Sequence, residues 1–433
     1  MKQKTYSTYK PSGVEWIGEI PSHWAVKPLK RVSRYNTEVL SEATAADEMI
    51  SYIEISDVDS QSGIRNSTEY TFKEAPSRAR RLVKAGDTLV STVRTYLKAV
   101  GVVQQEQNGF IASTGFCVLR PVDLESGFQG YVCKSRFIEE VARRSVGVSY
   151  PAINSTDLVE IPVPQPPYDE QQTISTYLDE KTALIDSTIR KKEKLIELLQ
   201  EERTAIINQA VTRGLDPNVK VKDSGVEWLG EIPEHWDVQR FKYFTTLKNG
   251  YAFKSEKYVE DGVPVIRIGD IASPVNLDEA KKILPDEAED LKEFIITKGD
   301  VLVALTGATI GKSCVYMLDE TALLNQRVGL VKPTEKTTTA FLAFLISSDL
   351  FRRYIDIECF GGAQENIGKE QLGGFEFSLP PVDEQNIISS YLEEKTAQIS
   401  STISKKEKEI SLLREYRISL INEVVTGKRS IFL

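Results

Sequence analysis

"PPYDEQQTISTYLDEKTALIDSTIRKKEKLIELLQEERTAIINQAVT", residues 166–212, recurs as "PPVDEQNIISSYLEEKTAQISSTISKKEKEISLLREYRISLINEVVT" at residues 380–426. About thirty of the forty-seven positions are identical. Self-similarity over so long a segment indicates a chain that repeats a structural unit. We therefore take this repeat as the feature that organises the fold.

The repeated segment predicts one long amphipathic helix in each copy. Its large apolar residues recur in steps of four and seven, close to the helical period of 3.6 residues. They are Ile174, Leu178, Ile185, Ile189, Ile196 and Ile207, and in the second copy Ile388, Leu392, Ile399, Ile403, Ile410 and Ile421. A charged helix of this length cannot bury its apolar stripe alone. We expect the two helices to pair, antiparallel, about a pseudo-two-fold axis.

A second phrase is also duplicated. "SGVEWIGEIPSHW" at 12–24 returns as "SGVEWLGEIPEHW" at 224–236, and these two copies hold all four tryptophans and both histidines of the chain. No cysteine or serine motif accompanies His23 or His235, so catalysis by these histidines is not indicated. We interpret the Trp–His phrase as framework, a core or docking element whose aromatic rings pack and whose proline fixes an extended backbone.

Residues 31–165 and 243–379 separate the duplicated segments and mostly differ in sequence. Both contain short β-rich runs, such as "GDTLVSTV" and "GDVLVAL", punctuated by turn residues and helical stretches. The predicted fold class is α+β: two compact domains separated by two long antiparallel helices, as a pseudo-two-fold internal repeat. The expected segments are 1–165, a first domain with an N-terminal arm; 166–213, a central helix; 214–379, a second domain; and 380–433, a C-terminal helix and tail.

The composition is that of an ordinary globular protein, with 41% hydrophobic and 27% charged residues. The four cysteines show no close spacing, which favours neither a disulfide framework nor a zinc site. The basic N-terminus lacks the apolar core of a signal peptide, and no apolar run approaches the ~20 residues of a membrane span. We expect a cytoplasmic protein. Because the net charge is −9, any contact with nucleic acid must use local basic patches.

Three stretches resemble catalytic motifs but depart from them. "GATIGKS" (307–313) has Thr306 where a phosphate-binding loop needs its first glycine. "QPPY" (165–168) resembles the Asp/Asn-Pro-Pro-Tyr motif of amino-group DNA methyltransferases, but glutamine is a methylene too long and no Gly-x-Gly cofactor turn exists. The acidic residues of "PDEAEDLK" (285–292) are too close together for a metal-dependent nuclease and predict a solvated helix. We therefore predict no catalytic residues, no metal site and no cofactor.

Residue types suited to DNA occur in both variable regions, where Arg reads guanine, Asn and Gln read adenine, and Lys and Thr contact phosphates. The candidates in the first region are Arg78, Arg80, Arg81, Lys84, Arg94, Tyr96 and Lys98. Those in the second are Tyr251, Phe253, Lys254, Thr306, Thr309, Lys312, Asn325, Gln326 and Arg327.

The combination of two repeated helices and two divergent domains resembles the specificity subunit of type I restriction–modification systems. The resemblance rests on "EWIGEIPxHW" before each variable region and "PPxDEQ…KT…KKEK…LIN…VT" after each. "NGYAFKSEKY…VPVIRIGDI" and "GDVLVALTGATIGK" in the second variable region match as well, whereas "STVRTYLKAVG" departs from the pattern.

The resemblance implies that each variable domain is a target-recognition domain reading one half of a bipartite sequence in double-stranded DNA. It also implies that the helices act as a spacer on which two modification subunits dock. Those subunits would bind S-adenosylmethionine and methylate adenine, and restriction subunits with an ATP-driven translocase and nuclease would be further partners. The specificity subunit would itself be non-catalytic. The residues leave two alternatives open: a coiled-coil scaffold without a DNA role, and a solitary DNA methyltransferase.

Overall fold

The computed structural model describes residues 5–271, 275–359 and 366–432. The chain divides into two compact units: unit 1 is Met1–Lys192 with Glu407–Leu433, and unit 2 is Glu193–Lys406. The units are divided within the two long helices, so they do not test the four-segment division expected from the sequence. Within the described ranges, no helix is both long and apolar enough to cross a membrane.

Unit 1 is built on two four-stranded sheets, in the orders β11-β10-β13-β4 and β8-β5-β12-β9, with short pairs β1-β2, β14-β3 and β6-β7. Its strands are β1 (Tyr9–Pro11), β2 (Glu19–Pro21), β3 (Ala25–Pro28), β4 (Ser33–Tyr35), β5 (Met49–Ile53), β6 (Val58–Asp59), β7 (Gly63–Ile64), β8 (Thr68–Thr71), β9 (Ala79–Leu82), β10 (Thr88–Ser91), β11 (Val100–Val102), β12 (Ile111–Ser113), β13 (Phe116–Pro121) and β14 (Pro162–Gln165). Its helices are α1 (Ser126–Lys134), α2 (Arg136–Arg144), α3 (Ser155–Leu158), the first part of α4 (Tyr168–Arg213) and the last part of α9 (Val382–Val425).

Unit 2 repeats this plan with sheets in the orders β18-β25-β22-β23 and β20-β19-β24-β21 and pairs β15-β16 and β17-β26. Its strands are β15 (Val221–Asp223), β16 (Glu231–Pro233), β17 (Asp237–Arg240), β18 (Thr245–Asn249), β19 (Val263–Ile266), β20 (Lys281–Ile283), β21 (Ile295–Ile296), β22 (Val301–Ala304), β23 (Ser313–Val315), β24 (Ala322–Leu324), β25 (Val328–Pro333) and β26 (Glu376–Leu379). Its helices are the last part of α4, α5 (Pro285–Glu289), α6 (Thr339–Ile346), α7 (Asp349–Cys359), α8 (Lys369–Gly374) and the first part of α9.

The two variable regions therefore share one topology although their sequences differ. The central strands β10 and β22 are buried along their whole length, and each pairs antiparallel with the next long strand of its sheet. The other sheet of each unit contains one parallel pair, β5 with β12 and β19 with β24. β22 (VLVA) is apolar throughout and β10 (TLVS) is apolar at its two central positions, which suits strands that are covered on both faces. The predicted α+β class is confirmed.

The predicted long helices are confirmed as α4 and α9. Their apolar stripe is buried in both copies, except that Ile196 and Ile403 are only half-buried. In unit 1, Arg417 Nε lies 3.0 Å from Asp186 Oδ1, and Lys192 forms an ion pair with Glu409. Because the partner number on α9 falls as the number on α4 rises, the two helices run antiparallel, as expected.

Proline and glycine fix the ends of the long helices. Pro166 and Pro167 come directly before α4, where a missing backbone N–H costs nothing. After α9 the chain turns at Gly427, whose φ is +72°. A Cβ at Gly427 would collide with the Pro21 ring and press on Trp24, so only glycine allows the end of α9 to pack against the Trp–His phrase.

Candidate nucleic-acid interface

Three segments of the second variable domain that are far apart in sequence meet at one cleft. Tyr251 N donates to Leu324 O at 2.8 Å, and Gln326 N donates to Tyr251 O at 2.9 Å. These bonds hold the turn at 249–251 against the turn that follows β24. Gly250 makes the approach possible, because a Cβ there would collide with the backbone of Leu324 and Asn325.

The third segment is the turn after β22. Leu305 N donates to Arg327 O at 2.9 Å, and Thr306 bridges to Asn366. The resulting cleft encloses about 540 Å³ and is lined by Asn249, Gly250, Ile268, Leu305, Thr306, Gly307, Gln326, Arg327, Asn366, Ile367 and Gly368. The structure thus brings together candidates from two separate stretches of the sequence, Thr306 from one and the adjacent pair Gln326 and Arg327 from the other.

The side chains of this cleft can read a base edge. Gln326 and Arg327 are exposed, and Asn325 Oδ1 accepts a hydrogen bond from Arg327 N at 3.2 Å, which orders the turn. The hydroxyl groups of Thr306 and Thr309 are buried without a hydrogen-bond partner among the described residues. A glutamine can pair with adenine and an arginine with guanine, while a threonine hydroxyl suits either a base or a phosphate.

The remaining candidates of the second domain lie around the cleft. Tyr251 is 39% exposed and meets the Phe253 ring edge-on at 5.1 Å. Phe253 itself packs against the buried cluster that contains Val265 and Ile283, so its contacts are those of a core residue. Lys254 is exposed.

Lys312 is also exposed and ends the turn that begins at Thr306. The Gly307–Thr309 segment is a single 3-10 turn, and the chain continues into strand β23. A phosphate-binding loop instead opens a helix whose N-terminus holds the phosphate. The backbone of residues 306–313 therefore differs from that of a phosphate-binding loop.

In the first variable domain the turn after β10 occupies the same place in the topology. Arg94 and Lys98 flank its 3-10 segment, with φ values of +51° and +50°. Arg94 is exposed, and its guanidinium carbon lies 5.3 Å from the centre of the Tyr150 ring. Tyr96 is 55% exposed, and Lys98 Nζ lies 3.4 Å from Glu139 Oε1.

Arg78 lies close to this turn. The backbone oxygen of Arg78 accepts from Thr114 N at 2.8 Å, and Thr92 N donates to Gly115 O at 2.8 Å. The exposed Arg78 side chain therefore belongs to the same edge of the domain as Arg94.

The side chains of the other basic candidates, Arg80, Arg81 and Lys84, are paired with carboxylates or buried within the domain. Arg80 pairs with Glu42 at 3.4 Å and lies over the Phe72 ring, while the Nε of Arg81 is buried without a hydrogen-bond partner among the described residues. Lys84 Nζ lies 2.5 Å from Glu38. Hydrogen bonds from Lys84, and from Arg120 beside it, hold the pKa of the Glu38 carboxyl below its ordinary value. Contact with DNA stays a prediction for all sixteen candidates, and Arg78 and Arg94 are the ones best placed in this domain.

Sequence reasoning missed the carboxylate that holds the Trp–His phrase in unit 1. His23 Nε2 lies 2.6 Å from Glu170 Oε1, and Trp24 Nε1 donates to Glu170 Oε2 at 3.0 Å. The hydroxyl of Tyr6 donates to the same carboxylate at 3.4 Å, and burial together with Glu170 raises the pKa of Tyr6 above its ordinary value.

Unit 2 has the same arrangement. His235 Nε2 lies 2.7 Å from Glu384 Oε2, and Trp236 Nε1 donates to that oxygen at 3.1 Å. The signal available in the sequence is the glutamate that both copies of "PPxDEQ" place in the first turn of a long helix.

The next residue of that motif joins each long helix to its variable domain. Gln171 accepts a hydrogen bond from Glu125 N at 2.7 Å. Gln385 accepts from Thr338 N at 2.9 Å and donates to Lys336 O at 2.8 Å. Both glutamine side chains are buried. In each copy of the motif, the glutamate thus binds the Trp–His phrase and the glutamine binds the variable domain. We call this pair of contacts the joint.

No group of three or more His, Cys, Asp or Glu side chains in the described ranges is arranged to hold a metal ion. Cys117 and Cys133 are buried in unit 1, and burial raises the pKa of the Cys117 thiol to about 12. A thiol with such a pKa is protonated at neutral pH and is a poor nucleophile.

Comparison with known proteins gives one consistent result. A family model described as the type I restriction modification DNA specificity domain matches residues 21–198 and again residues 233–412. The type I restriction enzyme MjaVIII specificity subunit of Methanocaldococcus jannaschii is 27% identical over 288 residues, 65% of this chain and 65% of that protein. The putative MjaX specificity subunit of the same organism is 26% identical over 438 residues, 95% of each chain.

Solved structures agree on the fold. A chain from work on "complex assembly and conformational transition of the type I R-M system" superposes with a TM-score of 0.76 at 21% identity, covering 94% of this chain and 98% of that one. The HsdS subunit from Thermoanaerobacter tengcongensis superposes with a TM-score of 0.56 at 22% identity, again covering 94% and 98%.

Proposed function

The chain belongs to the type I restriction modification DNA specificity family, and from this premise we propose that it reads a bipartite, asymmetric target in double-stranded DNA. Each variable domain would read one half-site. The second domain would use the cleft around Thr306, Gln326 and Arg327, and the first would use the edge that carries Arg78 and Arg94.

One observation supports this division of labour above the others. The two variable domains have the same sheet order but different side chains on corresponding turns, while the joints beneath them, at Glu170 and Glu384, are alike. A reader of two different half-sites requires this combination, because the framework must present both domains in the same way and only the reading side chains must differ.

We further propose that the duplicated framework binds two modification subunits. Two identical partners require the same surface twice, and the Trp–His phrase with its glutamate is such a duplicated feature. In this proposal the chain itself is non-catalytic, and methylation and cleavage belong to the modification and restriction subunits. Cys117 and Cys133 are thiols buried in unit 1, which is compatible with the cytoplasm, where such a complex would meet DNA.

The test uses the full chain together with the modification subunits of its source cell. Methylome sequencing of cells that express this complex gives the target, and a gel-shift titration compares a duplex carrying that target with a scrambled one. We expect a two-part motif and selective binding. A scaffold without a DNA role would show no selectivity, and a solitary methyltransferase would methylate DNA without the modification subunits.

Gln326→Ala sharpens the test, with the exposed helix residue Gln398→Ala as its matched control. The Gln326 variant should relax one position of one half-site and leave the other half-site intact. Each lost bidentate contact reduces discrimination by about 1–3 kcal/mol. A changed motif in the Gln398 variant, or an unchanged motif in the Gln326 variant, would contradict the assigned cleft.

A further inference from the structure

The loop between α2 and α3 of the first variable domain exposes three apolar side chains in five residues. Val148 is fully exposed, Val146 is 81% exposed and Tyr150 is 66% exposed. A single apolar residue on a surface needs no explanation. Several at the tip of one loop mark a surface that binds a partner. We call residues 145–151 the apolar loop.

The base of the apolar loop is fixed. Val146 N donates to Ala152 O at 2.9 Å, and Ala152 N donates back to Val146 O at 3.0 Å. Thr95, which is fully buried, donates its hydroxyl to Ser145 Oγ at 2.8 Å and its N–H to Pro151 O at 3.3 Å. The loop therefore projects from a closed base and is tied to the turn that carries Arg94.

Arg94 adds a positive charge beside the apolar tip. Its guanidinium group lies over Tyr150, and no carboxylate within the described ranges forms an ion pair with it. By contrast, Lys98 is paired with Glu139. The backbone of Arg94 is in the left-handed region, a conformation that costs a non-glycine residue about 1–3 kcal/mol and that is common at binding sites.

We propose that the apolar loop is a wedge that the first variable domain inserts between stacked base pairs of its half-site, with Arg94 on a flanking phosphate. This inference rests on the proposed function and adds how the first half-site is read. Insertion of an aliphatic side chain unstacks a base step and kinks the duplex, which favours sequences with a flexible step. Val148 would be the inserted side chain, and Tyr150 would support Arg94.

The position of the loop favours DNA over a protein partner. It lies in a variable region, whereas a partner that binds twice needs a surface present twice. The bridge between Val93 and Ala152 in unit 1 corresponds to the bridge between Thr306 and Asn366 in unit 2. The sequence before Asn366 reads "CFGGAQE", which has two adjacent glycines and no valine, whereas the apolar loop carries two valines. Residues 360–365 lie outside the described ranges. We therefore assign the wedge to the first variable domain, where the apolar loop is described.

The test compares Val148→Ser with Val122→Ser, a matched valine that is 55% exposed elsewhere in unit 1. Each full chain is assembled with modification subunits and titrated with a duplex that carries the mapped target. 2-Aminopurine replaces one adenine at a time in the first half-site. In the complex without substitutions we expect its fluorescence to rise at one step next to the wedge, separate from the adenine that the modification subunits extrude for methylation.

The Val148 variant should lose that fluorescence rise and bind the target about tenfold more weakly, a loss comparable to one mismatched base pair. Its salt dependence should be unchanged, because valine neutralises no phosphate. Arg94→Ala should instead lower the slope of log K against log salt by about 0.9. Val122→Ser should leave the affinity for the target, the fluorescence rise and the salt dependence as they are in the protein without substitutions.

Two results would overturn the wedge. The first is a Val148 variant that binds and unstacks the target as well as the Val122 variant does. The second is a Val148 variant that assembles poorly with modification subunits but, once assembled, binds DNA normally, which would make the loop a protein contact. If the unmodified complex does not distinguish target from scrambled duplex, the proposed function itself fails, and the wedge falls with it.

Discussion

Trp236 and Glu384 are joined by a hydrogen bond of 3.1 Å from a fully buried indole to a carboxylate in the first turn of a 44-residue helix. A carboxylate is favourable at this position because the N-terminus of a helix carries partial positive charge. Glu384 thus offsets the partial positive charge at the helix N-terminus and also accepts a hydrogen bond from the only polar group of the buried Trp236 side chain.

Removal of this acceptor should destabilise unit 2. Glu384→Ala leaves the buried Trp236 N–H without a partner, which costs about 1–3 kcal/mol. Glu394→Ala, at an exposed position of the same helix, is the control. Urea unfolding followed by tryptophan fluorescence is the measurement, since all four tryptophans lie in the two Trp–His phrases. Equal midpoints for the two variants would show that the bond contributes no stability.

Arg417 offers a comparison between equivalent positions. It is 8% exposed, pairs with Asp186 and donates to Gln61 O at 3.2 Å, whereas Arg203, its equivalent in the first copy of the repeat, is exposed. Arg417→Ala should lower the free energy of unfolding by about 1–3 kcal/mol, less than for a fully buried pair because Asp186 is partly solvated. Arg203→Ala should change it by less than about 0.5 kcal/mol. Thermal unfolding of both variants tests this, and similar losses would contradict the pairing.

Gly250 should be needed for the second half-site. Gly250→Ala forces a Cβ into the backbone of Leu324, at a cost of about 1–3 kcal/mol. The turn at 249–251 must then separate from the turn that carries Gln326 and Arg327. Gly269→Ala, where a Cβ meets nothing within 4 Å, is the control. Target affinity of the assembled complex should fall for the first variant only, and an unaffected Gly250 variant would mean that the cleft is not used.

The basic residues of the first domain should differ in their effect on salt dependence. Arg78→Ala should lower the slope of log K against log salt by about 0.9, as expected for one lost phosphate contact. Lys84→Ala should lower it by less, because the charge of Lys84 is already paired with Glu38. Gel-shift titrations of the complex at several salt concentrations provide the slopes. A larger reduction of the slope for Lys84→Ala than for Arg78→Ala would show that Lys84 separates from Glu38 when DNA binds.

The sequence predicted those features that depend on local periodicity. The apolar stripe from Ile174 to Ile207 defined α4, and its duplication required a partner helix. The joint at Glu170 was not predictable in this way, because the duplicated "PPxDEQ" marks the glutamate but does not identify its partner Trp24, which lies 146 residues away.

The candidate site shows the same limit. Residue type alone placed Arg78 and Lys84 in one basic cluster, yet Glu38, 46 residues from Lys84, occupies the lysine. Gln326 and Thr306 were suggested by separate motifs, and their common cleft follows from strand pairing that no single motif encodes. The apolar loop was missed because its valines read as an ordinary turn until their exposure was known.

The glutamine half of the joint bears on how such a chain can evolve. Gln171 and Gln385 bind their domains at three main-chain atoms, Glu125 N, Thr338 N and Lys336 O, and within the described ranges only the Thr337 hydroxyl adds a side-chain bond, to Gln385 Oε1. Hydrogen bonds to main-chain atoms do not depend on which side chains the domain carries. Mutation or recombination can therefore replace a reading surface wholesale without any compensating change in the helices, and a lineage can acquire a new specificity while it inherits the joint unaltered.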